Sequence, residues 1–290
     1  MMPESRARHA ERIDRVLAHI ECADEESDLT LERLCAVAAM SPYHFHRIFR
    51  LMTGETLAET VRRVRLARSL PDLADKTIPI TVAAGTSGYA TSQTYGRALR
   101  ATTGGTASDI RAGKPGLIDA LLSPAALDPA GLSASPLSIE IVSTAPLRLL
   151  AIRNIGAYSE LNTVYERLFD SVFSQHPMDA LVGIYGIWHE DPRFADPAGL
   201  HFDCAISVGD LPAVDGVEVI AIPAGRHARL RHVGDYDSLH VSIDRLYAAA
   251  IEQGAGELAD RPLRVHYIDD PETCPPAQWR SDIYLPLTPG

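Results

Sequence analysis

The segment RNIGAYSELNTVYERLF at 153–169 returns without a gap as RHVGDYDSLHVSIDRLY at 231–247. Arg153, Gly156, Tyr158, Leu161, Arg167 and Leu168 recur 78 residues later as Arg231, Gly234, Tyr236, Leu239, Arg245 and Leu246. One residue further in register, WHEDP (188–192) matches YIDDP (267–271). HFDCAISV (201–208) then matches RSDIYLPL (280–287), which sets Asp203 opposite Asp282. Each copy reads as strand, Gly turn, helix, strand ending at Asp-Pro, and a last strand. A unit of this kind cannot bury its apolar face alone and buries it beside its copy. The duplication therefore predicts one α+β domain of two strand-helix-strand-strand units about a pseudo-two-fold axis. Its helices lie on one face of a shared sheet, and the other face forms a groove.

Strand alternation assigns side chains to those faces. Asp282 and Tyr284 fall on one side of the last strand, with Ile283, Leu285 and Leu287 on the other. The apolar side packs on the helices, so Asp282 and Tyr284 face the groove. In the equivalent strand Asp203 shares its face with His201 and Ala205, opposite Phe202, Cys204 and Ile206. Only Asp282 has an aromatic neighbour on its own face. That makes it the expected ligand-facing carboxylate, with Asp203 more structural. Trp188 and Tyr267, beside the two Asp-Pro turns, are the candidate pocket walls. A carboxylate among rings can hold a cation by charge and by cation–π attraction. The competing readings are strand aspartates bonded to turns, and a Trp and a Tyr that simply fill core.

The first part of the chain has a different texture. Residues 6–114 read as short helices broken by turns, and 113–136 are rich in Pro, Gly, Ser and Ala, as a linker would be. The expected division is an all-α domain at 1–112, the linker at 113–136, and the α+β domain at 137–290. Charge divides the same way. Residues 1–115 hold 16 Lys+Arg against 14 Asp+Glu, and the rest hold 11 against 24, within a net charge of −11. Six arginines fall within 41–68 against Glu55 and Glu59, where contacts to phosphates would be needed.

Two helix-turn-helix patterns follow each other. Thr30 caps LERLCAVAAM, and Ser41-Pro42 restarts a second helix directly afterwards. There Phe45, Ile48 and Phe49 form the buried stripe, leaving Tyr43, His46, Arg47 and Arg50 on the other side. Gly54 ends it, and Thr56 to Glu59 is a capping box that opens a long helix, TLAETVRRVRLARSLPDLA. Pro79-Ile80, the Gly88-Tyr89 turn and TSQTYGRALRAT repeat the pattern. A helical bundle with surface arginines would share much of this.

LTLERLCAVAAMSPYHFHRIFRLMTGETLAETVRRVRLARSL and IPITVAAGTSGYATSQTYGRALRATTG, in that order and spacing, resemble the AraC/XylS DNA-binding domain over roughly 8–112. The resemblance implies double-stranded DNA as partner, with a helix from each unit in successive major grooves. It gives base-facing roles to Tyr43, His46 and Arg47 in the first and to Ser92, Gln93 and Arg97 in the second. Arg can be bidentate to guanine and Gln to adenine, while Arg50 and Arg100 suit phosphates. The second unit departs from the family pattern. Tyr95 and Leu99 stand where Phe is usual, Gly96 removes a side chain in mid-helix, and Thr106-Ala107 replaces Thr-Pro.

Residues 137–290 resemble the GyrI-like effector-binding domain, through IPAGRHARLRHVGDYDSLHVSIDRLYAAAI, the two Asp-Pro turns and the closing SDIYLPL. That family is built on the same duplication and binds small molecules, often aromatic or cationic. A tryptophan usual after the second helix's Leu-Tyr is replaced here by Ala249-Ala250. The expected protein is a transcription regulator responding to a small-molecule effector.

Some members of the group are hydrolases, so turnover of the ligand is the alternative, and capture of a protein partner is a third reading. No nucleophile elbow, P-loop or dinucleotide fingerprint supports catalysis or an organic cofactor. Cys22, Cys35, Cys204 and Cys274 form no CxxC pair, and the histidines lack metal-ligand spacing. The absence of a long apolar run and of a signal-peptide core points to the cytoplasm. A linker of this composition permits a monomer with two reading heads or a homodimer.

Overall fold

The computed structural model describes residues 4–23, 29–123, 137–193, 197–269 and 273–289. The chain forms two compact units: a helical unit of 10–38 and 48–129, and a sheet unit of 1–9, 39–47 and 130–290. The boundary does not follow the linker alone, because the turn at 39–41 and the first residues of one helix group with the sheet unit.

The helices of the first part are α1 (Glu4–Cys22), α2 (Leu31–Ala38), α3 (Pro42–Thr53), α4 (Leu57–Ala67), α5 (Leu70–Ala74), α6 (Ile80–Thr86), α7 (Ser92–Thr103), α8 (Ala107–Arg111) and α9 (Asp119–Leu122). The expected start signals are in place. The Thr56 side chain accepts from Glu59 N while Glu59 bonds the Thr56 backbone, and Thr106 and Asp109 do the same at α8. The long helix expected after Thr56 breaks at Arg68–Ser69, and Pro71 sits at the start of α5, where it costs no intrahelical bond.

The helical core gathers Leu66, Leu73, Ala83, Ala84, Tyr95, Leu99, Ala107, Ile110 and Leu121. Leu121 and Leu117 lie inside the stretch expected as linker, and Arg63 Nη1 donates to Leu121 O at 3.2 Å. Part of that stretch, from Leu117 to Leu121, therefore packs on the helical core; residues 124–136 lie outside the described residues. Of the six arginines at 41–68, Arg63 and Arg68 are consumed within the helical unit. Arg63 donates to both oxygens of buried Glu55 at 3.0 Å, and Arg68 bonds the carbonyls of Ile20, Glu21 and Ala23 at the end of α1.

The sheet unit carries β1 (Glu140–Thr144), β2 (Leu147–Ile155), α10 (Leu161–Phe173), β3 (Gly183–Trp188), β4 (His201–Ser207), β5 (Glu218–Ile222), β6 (Gly225–Val233), α11 (Leu239–Glu252), β7 (Leu263–Tyr267) and β8 (Arg280–Pro286). All neighbours are antiparallel, in the order β1-β6-β8-β7-β3-β4-β2-β5. The duplication reads directly in this order, because β5-β2-β4-β3 and β1-β6-β8-β7 are the same half repeated outward from the β3–β7 seam. The edge strands are exchanged: β1 pairs with β6 of the second half, and β5 pairs with β2 of the first. Gly156 and Gly234, equivalent in the repeat, adopt φ of 137° and 142°, a turn that a side chain would strain. No helix among the described residues is long and apolar enough to cross a membrane.

Candidate functional site

Two contacts assign the faces of the sheet. Ser242 of α11 bonds His232 of β6, and Cys204 of β4 reaches the Leu161 carbonyl of α10. Residues in phase with His232 and Cys204 thus face the helices, and those one residue out of phase lie on the helix-free face. The core follows this split, with Phe202, Cys204, Ile206, Leu230, Val265, Ile283 and Leu285 buried on the helix side.

On the helix-free face, Leu149, Ala151, Ile187 and Ala205 form a buried apolar cluster, packed by Leu147, Tyr185, Ile220 and Ile222. The expected groove residues Asp282, Tyr284 and Asp203 lie on this face. Both aspartates are buried, and both are already neutralised. Arg153 donates to Asp203 through Nε at 2.7 Å and Nη2 at 3.1 Å, and His189 Nε2 donates to Oδ2 at 2.7 Å. Burial opposes the charge of Asp203, but these bonds hold its carboxyl below the ordinary range. Arg231 donates to Asp282 at 2.5 and 3.0 Å, with Arg229 ion-paired at 3.7 Å. Ion pairing alone does not distinguish the two aspartates, since each faces the repeated arginine of the neighbouring strand. Arg153 and Arg231 were visible in the repeat, and strand pairing supplies what the alignment lacked: Arg153 lies opposite Asp203, and Arg231 opposite Asp282.

Trp188 and Tyr267 are in phase with Phe202 and Val265 and lie on the helix side. There Tyr158 meets Trp188 and Phe202 edge-on at 5.3 and 5.2 Å, and Tyr267 meets Tyr165 and Tyr236 at 6.4 and 4.9 Å. Burial pushes the Tyr165 and Tyr267 hydroxyls well above their ordinary range, so both stay protonated. Gly186 makes room for these rings, since a Cβ there would sit 2.4 Å from Phe202 Cζ and 2.8 Å from the Tyr267 hydroxyl. The five residues expected to line one pocket are therefore divided between two faces.

Further groups on the helix-free face were not singled out from sequence. Arg264 is 6% exposed, lies 4.6 Å over the Tyr284 ring and donates from Nη1 to His227 Nε2 at 2.9 Å. Arginine can only donate, so His227 Nε2 is the bare nitrogen and Nδ1 carries the proton, which is 3.2 Å from the Gly225 carbonyl. His266 stacks on Tyr185 at 4.5 Å and 14°.

Burial brings His227 down to about 4 from 6.5, with the charge of Arg264 acting the same way. Burial also lowers His44 to about 4; its Nε2 donates to Ala259 O at 2.8 Å and its Nδ1 accepts from the Tyr247 hydroxyl at 2.6 Å. The folded pKa lies below the unfolded one, so stability is complete above pH 6.5 and falls as pH drops toward 4. The loss is about 3 kcal/mol for each ring. Urea midpoints at pH 7, 5.5 and 4.5 should decline accordingly, and His227→Gln should flatten the decline. An unchanged slope in that variant would show that His227 is not buried neutral.

The helix-turn-helix residues fall into two groups. On α7, capped by Thr91, Tyr95 and Leu99 are fully buried, whereas Gln93, Arg97 and Arg100 are exposed on the opposite side and Ser92 is exposed at the first residue of the helix. A Cβ at Gly96 would meet nothing within 4 Å, so packing does not demand that glycine. On α3, Arg50 is exposed, while Tyr43 and His46 are half-buried. Arg47, expected at a base edge, is 4% exposed. Within the sheet unit it pairs with Asp244 at 2.7 Å and Asp191 at 3.0 Å, and Arg193 binds the same two carboxylates at 2.6–2.9 Å. Tyr43 sits 6.0 Å from the His189 ring. A base-edge role for Arg47 requires these ion pairs to open.

Comparison with known proteins agrees with both halves of this picture. The GyrI-like small molecule binding domain matches residues 137–288, and a helix-turn-helix domain matches 34–113. The regulatory protein ada of Salmonella typhimurium is 33% identical over 111 residues, 38% of this chain and 31% of that protein. The probable transcriptional regulator YgiV of Escherichia coli K12 is 26% identical over 106 residues, 36% of this chain and 66% of YgiV. The chain thus spans about a third of ada and just under two thirds of YgiV. The EcmrR C-terminal domain superposes with a TM-score of 0.45 at 18% identity, covering 53% of this chain and 98% of that one. With more than half of its residues in the first match, the chain belongs to the GyrI-like small molecule binding domain family and carries an AraC-type helix-turn-helix domain ahead of it.

Proposed function

We propose that the protein is a DNA-binding transcription regulator whose GyrI-like domain takes a small-molecule effector. The observation that carries the DNA reading is α7: its buried side is Tyr95 and Leu99, its open side is Gln93, Arg97 and Arg100, and Ser92 is exposed at its first residue. A helix so divided presents hydrogen-bonding side chains to a major groove while its apolar side stays in the core. Gln93 and Arg97 are the base-reading pair and Arg100 is a phosphate contact. From α3, Arg50 is assigned to phosphate, and Tyr43 and His46 to the groove edge. Ada and YgiV are named as regulators, which supports the reading. The acidic second half keeps the whole chain from being a general polyanion binder.

Footprinting of the full chain on the DNA upstream of its own coding region, with and without a compound library, tests both parts. On the protected sequence, Arg97→Ala should weaken binding by about 1–3 kcal/mol and relax preference at one base pair. Arg100→Ala should weaken all sequences alike and reduce the salt slope by about one unit. Unchanged affinity and preference in Arg97→Ala would remove α7 from base readout.

A further inference from the structure

Arg264 is out of place by ordinary rules of burial. A guanidinium taken out of water is normally paired with a carboxylate. Every other well-buried arginine among the described residues follows this rule: Arg47 meets Asp191 and Asp244, and Arg63 meets Glu55. Arg264 has no carboxylate partner among the described residues, and its Nε bonds to nothing. Its neighbours are the Tyr284 ring, neutral His227 and the apolar Ile187 opposite it across the β3–β7 pair. Of the carboxylates on its own face, Asp203, Asp282 and Glu140 are held by Arg153, Arg231 and Arg229, and Glu218 is exposed on the edge strand β5.

The repeat places Tyr185 where β7 has Arg264, so this guanidinium exists in one half only; with His227, Arg229, His266 and Tyr284 standing where the first half has Leu149, Ala151, Ile187 and Ala205, the face is polar at one end and apolar at the other. Beside it lie the Tyr185–His266 stack and the cluster of Leu149, Ala151, Ile187 and Ala205. We infer that this face binds an apolar or aromatic carboxylate, its anionic head on Arg264 and its body along the apolar cluster. The inference rests on the small-molecule reading of the domain and names the charge of the ligand, which is opposite to that expected from the aspartates.

The test uses the full chain with three probes of one shape: 2-naphthoate, 2-naphthylmethylammonium and 2-naphthalenemethanol. Calorimetry should show the carboxylate binding at least about tenfold more tightly than the alcohol, the ratio a charged hydrogen bond gives, and the ammonium weakest. Arg264→Met should abolish that preference and, in the absence of ligand, should raise the urea midpoint, because an unpaired buried charge is replaced by apolar volume. A purely structural arginine behaves oppositely, since loss of its contacts with Tyr284 and His227 would lower the midpoint. Preferred binding of the ammonium overturns the inference and leaves the small-molecule reading standing. A lowered midpoint in Arg264→Met with carboxylate binding intact overturns it as well. Failure of all three probes to bind also overturns it, while the small-molecule reading is decided separately by the compound library on the footprint.

Discussion

Asp191→Ala is expected to destabilise the protein by about 3–5 kcal/mol, the cost of breaking a buried ion pair from one side. Asp191, Asp244, Arg47 and Arg193 form a closed square in which each charge touches both opposite charges. Burial works against the charge of Asp191, but the bonds from Arg193 and the charge of Arg47 hold its carboxyl below the ordinary range. Removing it leaves Asp244 facing both guanidiniums. Arg47 suffers most, because it is nearly inaccessible to water whereas Arg193 is partly exposed. Urea unfolding measures the loss, and a double-mutant cycle with Arg47→Met should return a coupling above about 1 kcal/mol. A loss below about 1 kcal/mol would mean that the square does not form in solution and that Arg47 is free for other work.

Tyr95→Ala should cost a similar amount, about 3–5 kcal/mol, and should take DNA binding with it. The ring is fully buried in the helical core and meets Tyr89 edge-on at 5.8 Å. Its hydroxyl is 2.8 Å from Ser69 Oγ, which also donates to the Leu66 carbonyl at 2.6 Å. Tyr95→Phe keeps the ring and leaves Ser69 one partner, so it should cost only about 0.5–1.5 kcal/mol. The pair separates volume from hydrogen bond. If Tyr95→Phe proved as damaging as Tyr95→Ala, the hydroxyl rather than the ring would hold α7 in place. This hydrogen bond is also the physical reason that a tyrosine can stand where the AraC pattern has Phe.

What could be read from the chain alone follows from how far each feature reaches along it. Capping at Thr56 and Thr106, the Gly156 and Gly234 turns and the alternation of β4 and β8 are local, and a period or a spacing reveals them. The Asp203–Asp282 equivalence was legible because duplication writes a long-range relation twice. The ion pairs of Arg47 were not legible because helical periodicity shows which residues leave the α3 stripe, not what meets them, and its partners lie more than 140 positions away. Trp188 and Tyr267 sit next to the right turns, yet their phase within β3 and β7 turns them toward the helices. Arg264 gave no sign, since a single Arg in LRVHY reads as an ordinary strand arginine until burial and pairing are known.

The exchanged edge strands make the two copies inseparable in a way that their similarity does not. Each half lends its first strand to the other, so a half released by itself would lack a neighbour for β2 or β6. It would recover one by taking that strand from a second molecule, as a swapped pair. In the full chain the swap is internal. A protease nick between β4 and β5 would therefore cut the polypeptide and leave the sheet whole, each fragment still clasped by a strand of the other.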